Sequence, residues 1–306
     1  HPALRPLQPY WQSGQMAWVQ GVGNGTLNRS HFRSIAIWEH GTTDRQAHTG
    51  WVQQLFNDPQ EICGIAINDR LGPLKGRSSR CLRINSVEDY LSQARRFQKQ
   101  AEASTQAPQN RTQSDNPLLA HIENIQQEIV RSADDLSLQM DKVRHVGAGF
   151  LKDELGNGLR SVSQLIVGGA NVPVYKVGLS GFDTHNQQKG MHNNLLQRVA
   201  NNLHIFAQLM KQAGRWDDII VMTYSEFGRR VEENGGVGSD HGSAAAHFML
   251  GGRVNRGIHG LEPSLVDLTP DGDLKQTVDF RAIYGTLATR WWGKPNVWGK
   301  SAVPFV

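Results

Sequence analysis

Two hydrophobic periods alternate along the 306-residue chain. Short apolar runs occupy residues 16–22, 62–67, 81–84, 172–179, 219–223 and 247–250. Their length fits buried strands, and several are bounded by Gly, Asn or Pro. In the run 172–179, Pro173 has no N–H to donate, so its first residues are expected to lie unpaired. Between the runs, apolar residues recur at near-helical spacing. Phe32, Ile35, Ile37 and Trp38 follow Ser30, which stands at an N-cap position. Leu118, Ile122, Ile125, Ile129 and Leu136 follow Pro117, a residue suited to a first helical turn. Residues 159–167, closed by Gly168-Gly169, residues 191–213 and residues 279–292 read as further helices.

Strands alternating with helices of this length predict an α/β fold, a mainly parallel sheet covered by helices on both faces. A single domain over 1–306 accommodates it, with 86–146 as a helical insertion or cap. Within that cap, residues 98–116 are Gln, Ala, Ser, Asn and Arg with no large apolar side chain, the composition of a mobile polar loop. No internal repeat is evident.

Composition narrows the classes. A hydrophobic fraction of 38% fits a globular protein, and no apolar run approaches the roughly 18 to 20 residues of a membrane-spanning helix. The formal charge of +4 is modest and scattered, and no nucleic-acid-binding motif accompanies it. The chain opens His1-Pro2-Ala3 without an initiator methionine or signal peptide, which reads as a removed targeting segment or a truncation. Its two cysteines, Cys63 and Cys81, fall in separate strand-like runs, and either a disulfide or two buried thiols fits.

Candidate chemistry is concentrated between residues 181 and 247. Three turns carry acids: Gly181-Phe182-Asp183-Thr184-His185, Ser225-Glu226-Phe227-Gly228-Arg229 and Gly238-Ser239-Asp240-His241-Gly242. Ligands in open α/β sheets bind beyond the carboxyl ends of strands, so acids and imidazoles there are placed for chemistry. Carboxylate and imidazole together suit Zn²⁺, Mn²⁺ or a related divalent cation. Asp183 and His185, two residues apart in an extended turn, can reach one metal. The alternative is an Asx turn with a surface histidine. Asp240 and His241 join them as candidate ligands in a Gly/Ser-rich loop. Glu226 can bind metal or act as base, or can simply pair with an arginine. Arg229 can hold an oxyanion bidentately. Ser30 is either an ordinary N-cap or a nucleophile activated by the helix N-terminus. His192 is a further imidazole candidate or a capping residue, and His247 reads as a packed core histidine.

Taken together, Arg29-Ser30-His31-Phe32, Thr49-Gly50-Trp51, the three acid turns and Asp279-Phe280-Arg281 resemble a bacterial family of uncharacterised exported proteins placed in the alkaline phosphatase–sulfatase superfamily. The resemblance implies a twin-arginine signal and a periplasmic or exported location. It further implies an alkaline-phosphatase-like fold, Ser30 as nucleophile, and Asp183, His185 and His241 as ligands of one metal. The Ser225–Gly228 turn stands where many relatives have Ser-Asp-His-Gly, so Phe227 replaces one ligand of a second metal. The Gly-Gly-x-Asp turn of the family's opening strand is also absent.

The expected function is metal-dependent hydrolysis of phosphate or sulfate esters. Zinc is the first choice of metal and manganese or calcium the alternatives, at one site or none. The substrate would be an anionic small-molecule or glycan ester, with no nucleic acid involved. The alternative is a non-catalytic binding or assembly protein that keeps the scaffold and binds an anionic glycan, lipid headgroup or partner. Substrate and oligomeric state are not legible in the residues.

Overall fold

The computed structural model describes residues 1–26, 28–58, 62–76, 80–105 and 146–306. The strands, in chain order, are β1 (Met16–Gly23), β2 (Ile62–Ile67), β3 (Arg80–Ile84), β4 (Tyr175–Lys176), β5 (Ile220–Met222), β6 (Arg229–Glu233), β7 (Ser239–His241), β8 (Ala245–Gly251), β9 (Gly257–His259) and β10 (Val278–Asp279). The α-helices are α1 (Gln8–Gln12), α2 (His31–His40), α3 (Trp51–Leu55), α4 (Val87–Thr105), α5 (Glu154–Val167), α6 (Gln188–Gln212) and α7 (Phe280–Thr286). Every apolar run read as a strand carries one, although β4 is confined to two residues beyond Pro173. Asp153 caps α5 by accepting from the Gly156 N–H at 2.8 Å. Gly169, at φ 88, takes the left-handed turn after that helix.

The architecture is mixed α/β with several sheets. β2 lies between β3 and β4 in a three-stranded parallel sheet, while β10-β1-β8-β5, with β9 also on β1, form a second. That second sheet is mixed, which corrects the expectation of one mainly parallel sheet: β8 runs antiparallel to both β1 and β5. The reason lies in the connection. A parallel pair needs a crossover long enough for a helix, but the segment from β5 to β8 holds the β6–β7 hairpin instead.

Alternate residues on the strands feed two cores. Met16, Ile65, Ile67, Phe248 and Leu250 pack with Leu159, Leu165, Phe206 and Met210 from α5 and α6. Ala17, Val19, Ala66 and Met249 pack with Trp38, Trp51, Phe280 and Ile283 from α2, α3 and α7. This is the period-two alternation of a sheet with both faces buried. Two of the motif segments serve this second core. Trp51 stacks on Tyr284 at 4.1 Å between ring centroids, and Asp279 caps α7 by accepting the Arg281 N–H at 3.0 Å.

Helix α4 continues to Thr105, into the segment read as loop from residue 98. Gln, Lys, Ala and Glu are good helix formers even where no apolar stripe is present. The rest of that loop, the Pro117 helix and most of the proposed cap fall in 106–145, outside the described residues. Among the described residues no helix is long and apolar enough to cross a membrane.

Cys63 and Cys81 form a disulfide, with Cα atoms 5.2 Å apart and a sequence separation of 18. Cys63→Ala/Cys81→Ala is expected to lower unfolding free energy by about 3 kcal/mol through the freed unfolded chain. Urea denaturation checks it, and an unchanged transition would show that the bridge contributes nothing. His247 is 4% exposed and sits edge-on to Trp38 at 5.1 Å, as a core histidine does. Burial pushes its imidazole down to about 4, so between pH ~6.5 and ~4 the unfolded chain binds the proton that the native state refuses. Stability should therefore fall as pH falls through that window, and His247→Phe should flatten this part of a melting-temperature profile.

Candidate functional site

Four segments distant in the chain bring polar side chains to one place. They are the first turn of α2, the loop of residues 181–187, the loop after β5, and β7 with its hairpin. The hairpin docks onto the start of α6: the N–H groups of Gln187 and Gln188 donate to the carbonyls of Gly236 and Val237 at 2.9 and 3.0 Å. Gly238 lies flat on the His185 backbone, where any Cβ would collide. Val237 is held at φ 58, costly for a β-branched residue and the kind of strain that accumulates at sites.

Asp183 is the centre of the convergence. Its Oδ1 lies 2.9 Å from His185 Nε2, 3.0 Å from His241 Nε2 and 2.8 Å from Arg229 Nη1. Its Oδ2 lies 3.2 Å from His31 Nε2. The two imidazole nitrogens of His185 and His241 are themselves 3.0 Å apart. Asp183, His185 and His241, predicted as ligands, are thus in mutual contact. His31 completes the set, and sequence reasoning had placed the functional role on its neighbour Ser30.

The partners of the other ring nitrogens decide the tautomers. His241 Nδ1 faces the Arg29 carbonyl at 2.9 Å, which can only accept, so Nδ1 carries hydrogen. His185 Nδ1 faces Asp240 Oδ1 at 3.0 Å, and His31 Nδ1 faces Glu226 Oε1 at 2.8 Å. With each Nδ1–H donated to an oxygen, neutral rings turn an Nε2 lone pair onto a carboxylate. Lone pairs opposed at this range repel unless protons or a cation lie between them. Imidazoles oriented by carboxylates and a backbone carbonyl are the outer-shell arrangement of metal-binding histidines. The donor set also fits the ion's size. Tetrahedral bonds of roughly 2.0–2.2 Å put ligand atoms about 3.3 Å apart, and one donor atom each from His31, Asp183 and His241 all lie within 4.8 Å of one another.

Glu226 and Asp240, read as metal ligands, are placed behind the histidines instead, each accepting from an Nδ1–H. Asp240 accepts a second bond from Asn234 Nδ2 at 2.9 Å, and the Asn234 and His185 bonds hold its carboxyl below the usual range. Arg229 is engaged through all three side-chain nitrogens. It bonds Asp183 through Nη1, Ser239 Oγ through Nε at 3.1 Å, and the Ser239 carbonyl through Nη2. Partial burial opposes ionisation of Asp183, but the bond from Arg229, joined by His241 and His185 where those rings also carry a proton on Nε2, outweighs it and lowers the carboxyl to about 2. Ser30 is exposed at the N-cap of α2, and its side chain makes no capping bond. His192 packs against Phe182 at 6.0 Å and lies outside the cluster. Phe227 stacks on His241 at 4.2 Å and sits 4.9 Å from the His31 ring, forming an aromatic wall to the cluster. A cleft of about 220 Å³ opens beside the cluster, lined by Arg29, His185, Arg230, Asp240 and His241.

The family model described as a protein of unknown function, DUF1501, matches residues 73–293. The chain belongs to the DUF1501 family. No curated protein and no solved structure matches it. Asp183, His185, Glu226, Asp240 and His241 lie within the DUF1501 span, whereas Arg29, Ser30 and His31 precede it.

Because the Arg229 bond is the leading favourable influence on the Asp183 carboxylate, Arg229→Ala should raise its titration midpoint from about 2 towards the ordinary carboxylate value near 3.8. Carboxyl-carbon NMR of the two proteins reads this directly. An unmoved midpoint would show that the histidines alone hold the charge.

Proposed function

We propose that this protein is a metal-dependent hydrolase of phosphate or sulfate esters, related to the alkaline phosphatase–sulfatase superfamily and exported to the periplasm. One observation carries the metal: three histidines whose Nδ1 atoms face oxygen acceptors turn their Nε2 atoms onto the Asp183 carboxylate. A divalent cation, zinc first and manganese or calcium as alternatives, is what this oxygen-and-imidazole set suits. His31, Asp183, His185 and His241 would hold it, and when bound it would supply Lewis-acid polarisation of an ester oxygen.

The protein's own groups do the remaining work. Glu226, Asp240 and the Arg29 carbonyl orient the imidazoles, and Arg229 keeps Asp183 ionised and aimed. Glu226, committed to His31, therefore acts by positioning rather than as a general base. Ser30 is the candidate nucleophile. Its Oγ is not spent on the cap, it adjoins a ligand, and the N-terminal N–H groups of α2 favour an ionised oxygen there. The Cys63–Cys81 disulfide supports an oxidising compartment. Phe227, in place of a ligand to a second metal, favours a single-metal site. It also keeps alive the reading of a binding protein on a hydrolase scaffold.

Elemental analysis of the purified protein should find about one equivalent of divalent metal. Asp183→Ala and His31→Ala should lose it, while Glu226→Gln should weaken binding by 10- to 100-fold. Turnover of para-nitrophenyl phosphate or sulfate should disappear with the metal and in Ser30→Ala. Metal retained in Asp183→Ala would sink the site. Metal without turnover of either ester would favour the binding protein, and a fully active Ser30→Ala would transfer the attack to water.

A further inference from the structure

Two arginines on one buried acid line the cleft together with the histidines. Asp273 is 1% exposed, and its Oδ2 lies 3.0 Å from Arg29 Nη2. Its Oδ1 lies 3.3 Å from Arg230 Nε. Two guanidinium charges thus share one carboxylate, and both arginines line the cleft beside His185 and His241. Among the described residues, the protein bonds of the Arg29 side chain run through Nη2 alone. Those of Arg230 run through Nη2, to the Asp271 carbonyl, with Nε facing Asp273. Each therefore keeps uncommitted N–H donors. Arg229, the candidate oxyanion-holding arginine of the sequence, has all three of its side-chain nitrogens bonded within the protein.

The acid beneath the pair is itself fixed. Its backbone N–H donates to Thr269 Oγ1 at 3.0 Å, and its carbonyl accepts from the Thr269 N–H at 2.9 Å. Gly272, at φ 79, makes the turn between them. Ser243 Oγ ties the next carbonyl, that of Leu274, to the strand loop after His241 at 2.6 Å. The clamp and the histidine cluster also share a residue, because Arg29 gives its carbonyl to His241 and its guanidinium to the cleft.

We infer that Arg29 and Arg230 form a two-guanidinium clamp for one tetrahedral oxyanion, phosphate or sulfate, with Asp273 as its positioning residue. Planar guanidinium forks match such oxygens bidentately. The surplus positive charge is partly withdrawn from water, where its attraction is less screened. The inference rests on the hydrolase reading for what happens to the anion and not for its binding.

Calorimetric titration of the purified protein with inorganic phosphate, and separately with inorganic sulfate, tests it. One or both should bind, and the preferred anion identifies the ester class. Arg29→Gln keeps the carbonyl that holds His241, so it and Arg230→Gln should each weaken anion binding at least tenfold with metal content unchanged and the protein still folded. Asp273→Asn should weaken it too, and Arg29→Lys should recover only part of the affinity. Binding of neither anion, or unchanged affinity in both glutamine variants, overturns the clamp. Anion binding that depends on both arginines but persists after the metal is removed by chelation supports the clamp. The hydrolase reading is judged separately, by ester turnover.

Discussion

Everything at this site is arranged around the charge of one carboxylate. Asp183 is nearly half exposed, yet it is ringed by Arg229 and by three imidazole nitrogens within 3.2 Å. Each neighbour is in turn fixed by a partner that cannot exchange roles: a carbonyl that only accepts, two carboxylates, and a serine that Arg229 grips through two atoms. The cluster is therefore preorganised by outer-layer bonds. Preorganisation matters because a group that is already aimed need not be reoriented when charge arrives.

That outer layer explains features of the fold that packing alone does not require. The β6–β7 hairpin interrupts what would otherwise be a strand–helix–strand unit, and it makes the sheet mixed. In return it carries Arg229, Asp240 and His241 on adjacent strands, with Arg229 directly paired to His241. Its tip, strained at Val237, is anchored on the loop that presents Asp183 and His185. A crossover helix in that position would have allowed a parallel pair instead.

Much of this was legible in the residues. The strands and the long helices α5 and α6 follow from periodicity because burial on both faces leaves few alternatives for such apolar runs. Asp183, His185 and His241 were legible because acids and imidazoles clustered in Gly-rich turns have little packing value. His31 was not. It lies one residue beyond a good N-cap serine, and the capping argument absorbed the position, although the Arg29–Phe32 motif as a whole marked the region. The contacts of Glu226, Asp240 and Arg229 also escaped, since which carboxylate joins the centre of the cluster and which faces a ring nitrogen is set by a few ångströms of tertiary placement. The antiparallel course of β8 and the Asp273 clamp depend wholly on long-range contacts and leave no local pattern.

Phe227 shows how one aromatic side chain can shape a polar cluster. An imidazole there would offer another nitrogen to a cation, whereas a phenyl ring offers only a face. It spends that face on His241 and His31, limiting their rotation from the side opposite Asp183. The aromatic wall thus borders the same cluster whose cleft is lined by Arg29 and Arg230 on their shared acid, so packing against the rings and positive charge beside them come from separate parts of the fold.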